Sequence, residues 1–394
     1  MISRKIAENL TKTAWIRAMF EKGEELRKIH GEDKVYDFSI GNPEAAPPKA
    51  VIETLKQFVL EDHAGRHRYM SNAGYYDVRE KVAAYVQKEQ GIPMTASNIV
   101  MTCGAAGALN VVIKTLLDEG DEVIVFSPYF VEYLTFIENH SGVPVVAAAC
   151  PDTFLPDVTS LQKAITQKTK ALILNNPNNP TGVIYDQKTL TDLASALEEA
   201  EKRIGHPIYV ILDEPYSKIV YDGAVVPRSL QIFRNSILVN SFSKSHAIPG
   251  ERIGYIAASS AIEDLDILMR GLVSCNRSLG FVNAPSLFQR VVAETLDEVV
   301  DIEWYQRRRD LLYHHLLSAG FSCNKPQGAF YLFLKSPVPD DVAFVENAMK
   351  YNILLVPGSG FGFPGYARLS YCISWKVIEN SLPAFSKLAA DYGL

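Results

Sequence analysis

The sequence predicts an α/β protein: a mostly parallel seven-stranded sheet in a large domain, together with a smaller α+β domain. Three observations lead there. The chain's 394 residues exceed the size at which one hydrophobic core usually stops growing, so two domains are expected. Its 47% hydrophobic and 21% charged residues are those of an ordinary globular protein with ample apolar surface for a core. From Ile99 onward, short apolar β-rich runs alternate with amphipathic stretches, the pattern of βα units feeding a parallel sheet.

The first strand is "NIVMT", followed by "ALNVVIKTLLDEG", where Leu109, Val112, Ile113, Leu116 and Leu117 recur at helix spacing and Gly120 acts as a stop signal. "DEVIVFSP" is the second strand. "PVVAAA" (144–149), "KALILN" (170–175), "IYVILD" (208–213), "SILVNS" (236–241) and "GYIAAS" (254–259) complete the seven, with helical stretches such as "KTLTDLASALEEAEKRIG" between several of them. Polar residues fall at the C-terminal ends of these strands, the edge at which open α/β sheets bind ligands. One helical stretch from about Pro285 to Ala319 is long enough to cross between domains, and "GAFYLFL" and "ARLSYCIS" read as strands of the smaller unit. The expected division is 46–290 for the large domain and 1–45 with 291–394 for the small one. No repeat, low-complexity tract or flexible linker interrupts them.

Charge and cysteine usage exclude several classes. A net charge of -6 with interspersed signs argues against a nucleic-acid or anionic-membrane surface. The run Arg307-Arg308-Arg309 is expected to be a solvated helix face. Five cysteines without a C-x-x-C pair suggest neither a disulfide framework nor a zinc site. "MISRKIAENLTKTAW" lacks the apolar core of a signal peptide and no apolar run reaches membrane-spanning length, so a cytoplasmic protein is expected. His63 and His67 lie in a run of loop composition with no third ligand nearby, and no metal is expected.

The chemistry gathers around "SFSKSHAIPGERIG", residues 241–254. Lys244 follows a strand in an expected loop. Ser241 and Ser243 offer hydroxyls, Arg252 offers a fork that suits phosphate oxygens, and Gly250 and Gly254 let backbone approach closely. A phosphate beside a nucleophilic amine is implied. In "TCGAAGALN" a strand runs into a helix, leaving the amides of Gly104, Ala105 and Ala106 free to donate to an anion. "YVILDEPYSK" ends an apolar strand in Asp213, with Tyr216 three residues on. A helix cap, a metal ligand or a buried carboxylate opposite a protonated ring nitrogen would each suit Asp213. In "NNPNNPTG", Pro177 and Pro180 stiffen a loop that carries Asn178 and Asn179 to the same edge.

These residues resemble the fold-type-I, pyridoxal-phosphate-dependent class I and II aminotransferases, aspartate aminotransferase among them. The resemblance rests on the small-apolar-small-Lys motif at Lys244 with Arg252 eight residues on, and it extends from "SIGNPE" to "ARLSY". It implies pyridoxal 5'-phosphate as cofactor. Lys244 would bond the cofactor aldehyde as a Schiff base and shuttle the proton at the substrate Cα. Ser241, Ser243 and Arg252 would hold the phosphate, with the backbone of Gly104, Ala105 and Ala106. Asp213 would keep the pyridine nitrogen protonated, Tyr216 and Asn179 would bond the ring oxygen, and Tyr129 would stack on the ring. Arg368 would grip the substrate α-carboxylate, which Gly41 would face. Tyr69 would reach the phosphate of a neighbouring protomer, so a homodimer is implied.

Departures from the family pattern are local. Gly104, Ala105 and Ala106 stand where aspartate aminotransferases commonly carry hydroxyl side chains, so backbone amides must do more. Arg277, six residues before Asn283, lies near where some relatives place an arginine for a second carboxylate, but its local spacing does not match and a surface arginine is the reading preferred. The reaction the resemblance implies moves an amino group from an L-amino acid, aspartate first and alanine next, to a 2-oxo acid such as 2-oxoglutarate. A carbon-sulfur β-elimination lyase would share the cofactor, lysine and carboxylate arginine. A cofactor-binding DNA regulator fits poorly with the acidic charge.

Overall fold

The computed structural model describes residues 2–3, 6–7, 22–29, 31 and 34–394, so most of the N-terminal run "MISRKIAENLTKTAW" lies outside the described residues. The chain divides into two compact units. One comprises Ala45–Ile302 with Gln327–Ala329, and the other Met1–Glu44, Glu303–Pro326 and Phe330–Leu394.

The larger unit is built on seven strands: β1 (Ile99–Thr102), β2 (Glu122–Ser127), β3 (Val143–Ala148), β4 (Thr169–Asn175), β5 (Tyr209–Asp213), β6 (Ser236–Ser241) and β7 (Gly254–Ala258). All lie within a residue of the ends expected from sequence. Their spatial order is β1-β7-β6-β5-β4-β2-β3. β7 runs antiparallel to both its neighbours, and the other pairings are parallel. The middles of the inner strands, Ala171–Leu174 and Val210–Leu212, are continuous apolar runs because helices cover both faces, as a parallel sheet requires. The helix Gly104–Leu116 packs Val111, Val112 and Leu116 into one core with Val239 and Ile256 of the sheet and Leu272 of the helix Leu265–Ser278. It ends at Leu116, and Gly120 comes later, at φ 87° in the turn into β2.

Register fixes what the sheet offers at its edge. Asn175 pairs with Asp213, Asp213 with Val239, and Ser241 with Gly254, which also faces Thr102. The polar ends of β4, β5 and β6 therefore stand side by side.

The single helix expected over Pro285–Ala319 is two, Ser286–Glu294 and Ile302–Ser318. Thr295 leaves helical geometry at φ -130°. Bonds to the segment carrying Lys244 hold the break: His246 Nε2 donates to Thr295 O over 2.8 Å, and Val300 N donates to Ser245 O over 2.8 Å. Burial drives the His246 pKa down to about 4, so the ring is neutral and Nδ1 accepts the Ser245 hydroxyl at 3.0 Å.

The smaller unit carries a four-stranded sheet in the order Val356–Pro357, Tyr366–Ser370, Tyr331–Lys335, Ser322–Cys323, and a parallel pair of Tyr36–Asp37 with Ile353–Leu354. The expected strands in "GAFYLFL" and "ARLSYCIS" are present but shorter. The reading of Arg307–Arg309 as a solvated face is corrected here. Arg307 is exposed, but Arg309 is fully buried and Arg308 nearly so. The Arg309 fork pairs with Asp310 at 2.7 Å and donates to Pro326 O at 2.9 Å. Arg308 donates to Ile373 O and Trp304 O and lies over the Trp304 ring. Satisfied guanidinium groups can be buried where unpaired ones cannot.

Candidate active site

Asp213 closes β5 and is 5% exposed. Its Oδ2 accepts the hydroxyl of Tyr133, which the helix Glu132–Asn139 carries from across the edge. Oδ1 is buried without a hydrogen-bond partner. Burial raises the Asp213 pKa to about 7, against the smaller lowering effect of the Tyr133 bond. Burial also holds the Tyr133 pKa well above the ordinary phenol value, so Tyr133 is a permanent donor. A buried carboxylate that lacks a counter-ion is unfavourable, and a cationic N–H placed at Oδ1 would relieve it.

The neighbouring loop is fixed by asparagines. Asn175 Nδ2 donates to Asp213 O at 2.9 Å, while its Oδ1 accepts Asn179 N at 2.7 Å. Asn178 donates to the Tyr185 hydroxyl at 2.9 Å. Asn179 and Tyr216 are both buried, and Tyr129 is half-buried against the core.

β6 ends in Ser241, and the chain enters one helical turn, Phe242–Ser245, so Lys244 sits on a turn of helix rather than in the expected loop. Ser241 and Ser243 are buried and Lys244 is half-buried. Arg252 adopts a left-handed backbone at φ 51° and donates from Nη1 to Pro249 O at 2.8 Å. Glycines bring this loop against the start of the helix Gly104–Leu116. A Cβ at position 104 would lie 2.9 Å from Arg252 Nη2, and one at 254 only 2.6 Å from Asn240 O and 2.9 Å from Gly104 C. Only backbone fits there. The structure thus brings Gly104, Ala105 and Ala106, at a helix N-terminus, together with the Arg252 guanidinium.

These features fit pyridoxal 5'-phosphate. The carboxylate oxygen without a donor suits a protonated pyridine nitrogen, and the glycine-lined helix start with Arg252 suits a phosphate.

In the smaller unit Arg368 is 9% exposed on the strand Tyr366–Ser370. Its Nη2 donates to Ser39 O at 2.6 Å, and its guanidinium lies 4.7 Å from the Tyr331 ring centroid and 4.8 Å from that of Phe361. Gly41 passes the tip of Tyr331 so closely that a Cβ would lie 2.2 Å from the hydroxyl. Cys372 Sγ donates to Asn42 O at 3.3 Å and helps lay this segment along the sheet.

Four further residues singled out in the sequence are Tyr69, Arg277, His63 and His67. Tyr69 is 86% exposed. Arg277 is exposed in the last turn of its helix. His63 and His67 lie in a turn, and His67 pairs with Asp62 at 3.2 Å. Sequence reasoning missed Tyr133 and Tyr331. Each lies close in sequence to a residue it did select or quote, Tyr133 four after Tyr129 and Tyr331 within "GAFYLFL", but neither has a partner legible nearby.

The family described as Aminotransferase class I and II matches residues 33–385. A probable aspartate aminotransferase of Methanocaldococcus jannaschii is 33% identical over 355 residues, covering 88% of this chain and 91% of that one. The aspartate/prephenate aminotransferase of Thermus thermophilus is 31% identical over 376 residues, covering 94% of each. An amino transferase structure from Eubacterium rectale is similar with a TM-score of 0.96 at 38% identity, covering 100% of both chains.

Proposed function

Because the chain belongs to the class I and II aminotransferases, which depend on pyridoxal 5'-phosphate, we propose that it moves the amino group of L-aspartate, and less readily of alanine, to 2-oxoglutarate. The observation that carries the reading is the buried Asp213, bonded by Tyr133 on one oxygen and open on the other, on the same sheet edge as the Lys244 turn. The aspartate preference is supported by the names of the similar proteins from M. jannaschii and T. thermophilus.

Bound pyridoxal phosphate supplies a carbonyl that takes up the amino group and a ring that withdraws electrons from the substrate Cα. The chain's own residues do the rest. Lys244 Nζ removes the Cα proton and returns a proton when the flow reverses. Asp213 Oδ1 holds the proton on the ring nitrogen, and Tyr133 keeps that carboxylate oriented. Ser241, Ser243, Arg252 and the backbone of Gly104, Ala105 and Ala106 bind the phosphate. Tyr129 would lie against the ring, while Tyr216 and Asn179 would bond its oxygen. Arg368, whose Nη2 is oriented by donation to Ser39 O, pairs with the substrate α-carboxylate, and Gly41 lies against the same carboxylate. The working form is a homodimer in which Tyr69 reaches the partner's phosphate, consistent with so large an exposed ring. That none of the five cysteines is in a disulfide supports a cytoplasmic setting.

A half-reaction screen tests the proposal. Amino acids are added singly to holoenzyme and the loss of its visible absorbance is followed. Aspartate should react fastest and alanine next. Release of pyruvate and ammonia from cysteine without a 2-oxo acid acceptor would contradict it.

A further inference from the structure

Asp213 is followed by a second buried carboxyl that the transamination chemistry leaves unused. Glu214 turns toward the helix Tyr76–Gln90, where Gln90 Nε2 donates to its Oε2 over a long 3.4 Å. Glu214 is 1% exposed; the Ser229 hydroxyl stands near its carboxyl but donates to Pro227 O at 3.3 Å, and Oε1 has no hydrogen-bond partner. It lines a cavity of about 270 Å³ within the larger unit. An acceptor buried in this way is costly, so the natural occupant is one that brings a donor.

The walls narrow the chemistry of that donor. The Tyr85 ring already attracts a cation, Lys218 Nζ, 5.2 Å from its centroid, and Lys218 is itself paired with Glu89 at 2.5 Å. Tyr255 and Asn240 form the wall on the sheet side, with Val86 and Leu238 supplying apolar surface. Among the described residues no group of three or more His, Cys, Asp or Glu could hold a metal ion, so a bare cation lacks ligands here. The space equals that of several water molecules at about 30 Å³ each, enough for a small organic molecule. One buried carboxyl between aromatic rings suits a positively charged nitrogen carrying alkyl groups.

We propose that this cavity binds a small organic ammonium compound, its N–H on Glu214 Oε1 and its alkyl groups against Tyr85 and Tyr255. The site adjoins Asp213 through one peptide bond, so an occupant places its charge beside the carboxyl that serves the cofactor.

The pH dependence follows from the groups facing Glu214. Burial is the main cause that raises its pKa to about 7, with like charge on Asp213 adding to it and Ser229 and Gln90 opposing it. Burial holds Tyr85 and Tyr255 above the ordinary phenol value, so both stay neutral. Glu89 is paired with Lys218, and Arg228 stands exposed at the mouth. The ammonium requires ionised Glu214.

Calorimetric titration of the holoenzyme with trimethylammonium chloride tests this. A tertiary ammonium donates one N–H and cannot condense with a carbonyl group. Saturable binding is expected at pH 8, about tenfold weaker at pH 6, where roughly a tenth of a group with pKa 7 is ionised. Glu214→Gln should abolish it. Tyr85→Leu, which keeps the carboxyl and removes a ring, should weaken it several-fold, so the test survives if one variant does not fold. No saturable heat in the millimolar range, or unchanged binding by Glu214→Gln, would overturn the proposal. The readout is heat rather than transamination, so its outcome is separable from the substrate assignment.

Discussion

The hydroxyl of Tyr133 donates to Oδ2 of Asp213, and both side chains are buried. This leaves one oxygen of the carboxylate committed and the other open to a ligand. Removing the hydroxyl in Tyr133→Phe strands a buried oxygen and raises the Asp213 pKa further, because the bond lowers it. A hydrogen bond to a charged group contributes about 1.5–3 kcal/mol, so cofactor affinity or kcat should fall by roughly tenfold to a hundredfold. The checks are the dissociation constant for pyridoxal phosphate and the pH midpoint of the bound cofactor's absorbance. A variant with both unchanged would remove Tyr133 from the account.

Stability of the cofactor-free protein should fall as pH rises. Burial raises the folded-state pKa of both Asp213 and Glu214 to about 7, above ordinary carboxyl values of about 4. The folded state therefore binds more protons than the unfolded one between about pH 4 and 7, and stability declines across that window. Thermal unfolding from pH 5 to 8 should show a falling midpoint, less steep in Asp213→Asn and in the holoenzyme. A midpoint that rose over this range would contradict the burial argument.

Arg368→Ala should weaken amino-acid use by on the order of tenfold to a hundredfold or more while retaining cofactor, since in the proposed function the lost fork pairs with a carboxylate rather than the phosphate. Lysine should restore little, because a point charge replaces a planar fork and the stacking over Tyr331 and Phe361 is lost. The measurement is kcat/KM for aspartate beside cofactor content. Loss of cofactor with normal substrate affinity would reassign this arginine.

Gly41→Ala places a Cβ 2.2 Å from the Tyr331 hydroxyl, a distance that forces one of them to move. KM for the amino donor should rise at least several-fold. Tyr331→Phe in the same chain removes the clashing atom, leaving the nearest ring carbon at 3.0 Å, and should recover part of the loss. Additive effects of the two changes would show that the clash is not the cause.

The strands were legible because they are short apolar runs, several of them ending in a polar residue, and the proposed cofactor loop stood out because a lysine, an arginine and glycines fall at diagnostic spacing. What escaped depends on distant parts of the chain. The break after Glu294 contains neither Gly nor Pro to mark it, and it is set by His246 and Ser245, about fifty residues earlier. Arg308 and Arg309 look solvated until Trp304, Asp310 and the Pro326 and Ile373 carbonyls close around them. Tyr133 acquires its meaning only from Asp213, 80 residues on.

The central claim is that Lys244 moves the proton at the substrate Cα. Single-turnover reaction of the cofactor-loaded Lys244→Ala protein with aspartate, followed by absorbance, tests it most directly. Positioned proton transfer contributes about 10²–10⁴-fold, so the rate should fall at least about a hundredfold, with cofactor still bound through Arg252 and the serines. A rate equal to that of the unaltered enzyme would contradict it.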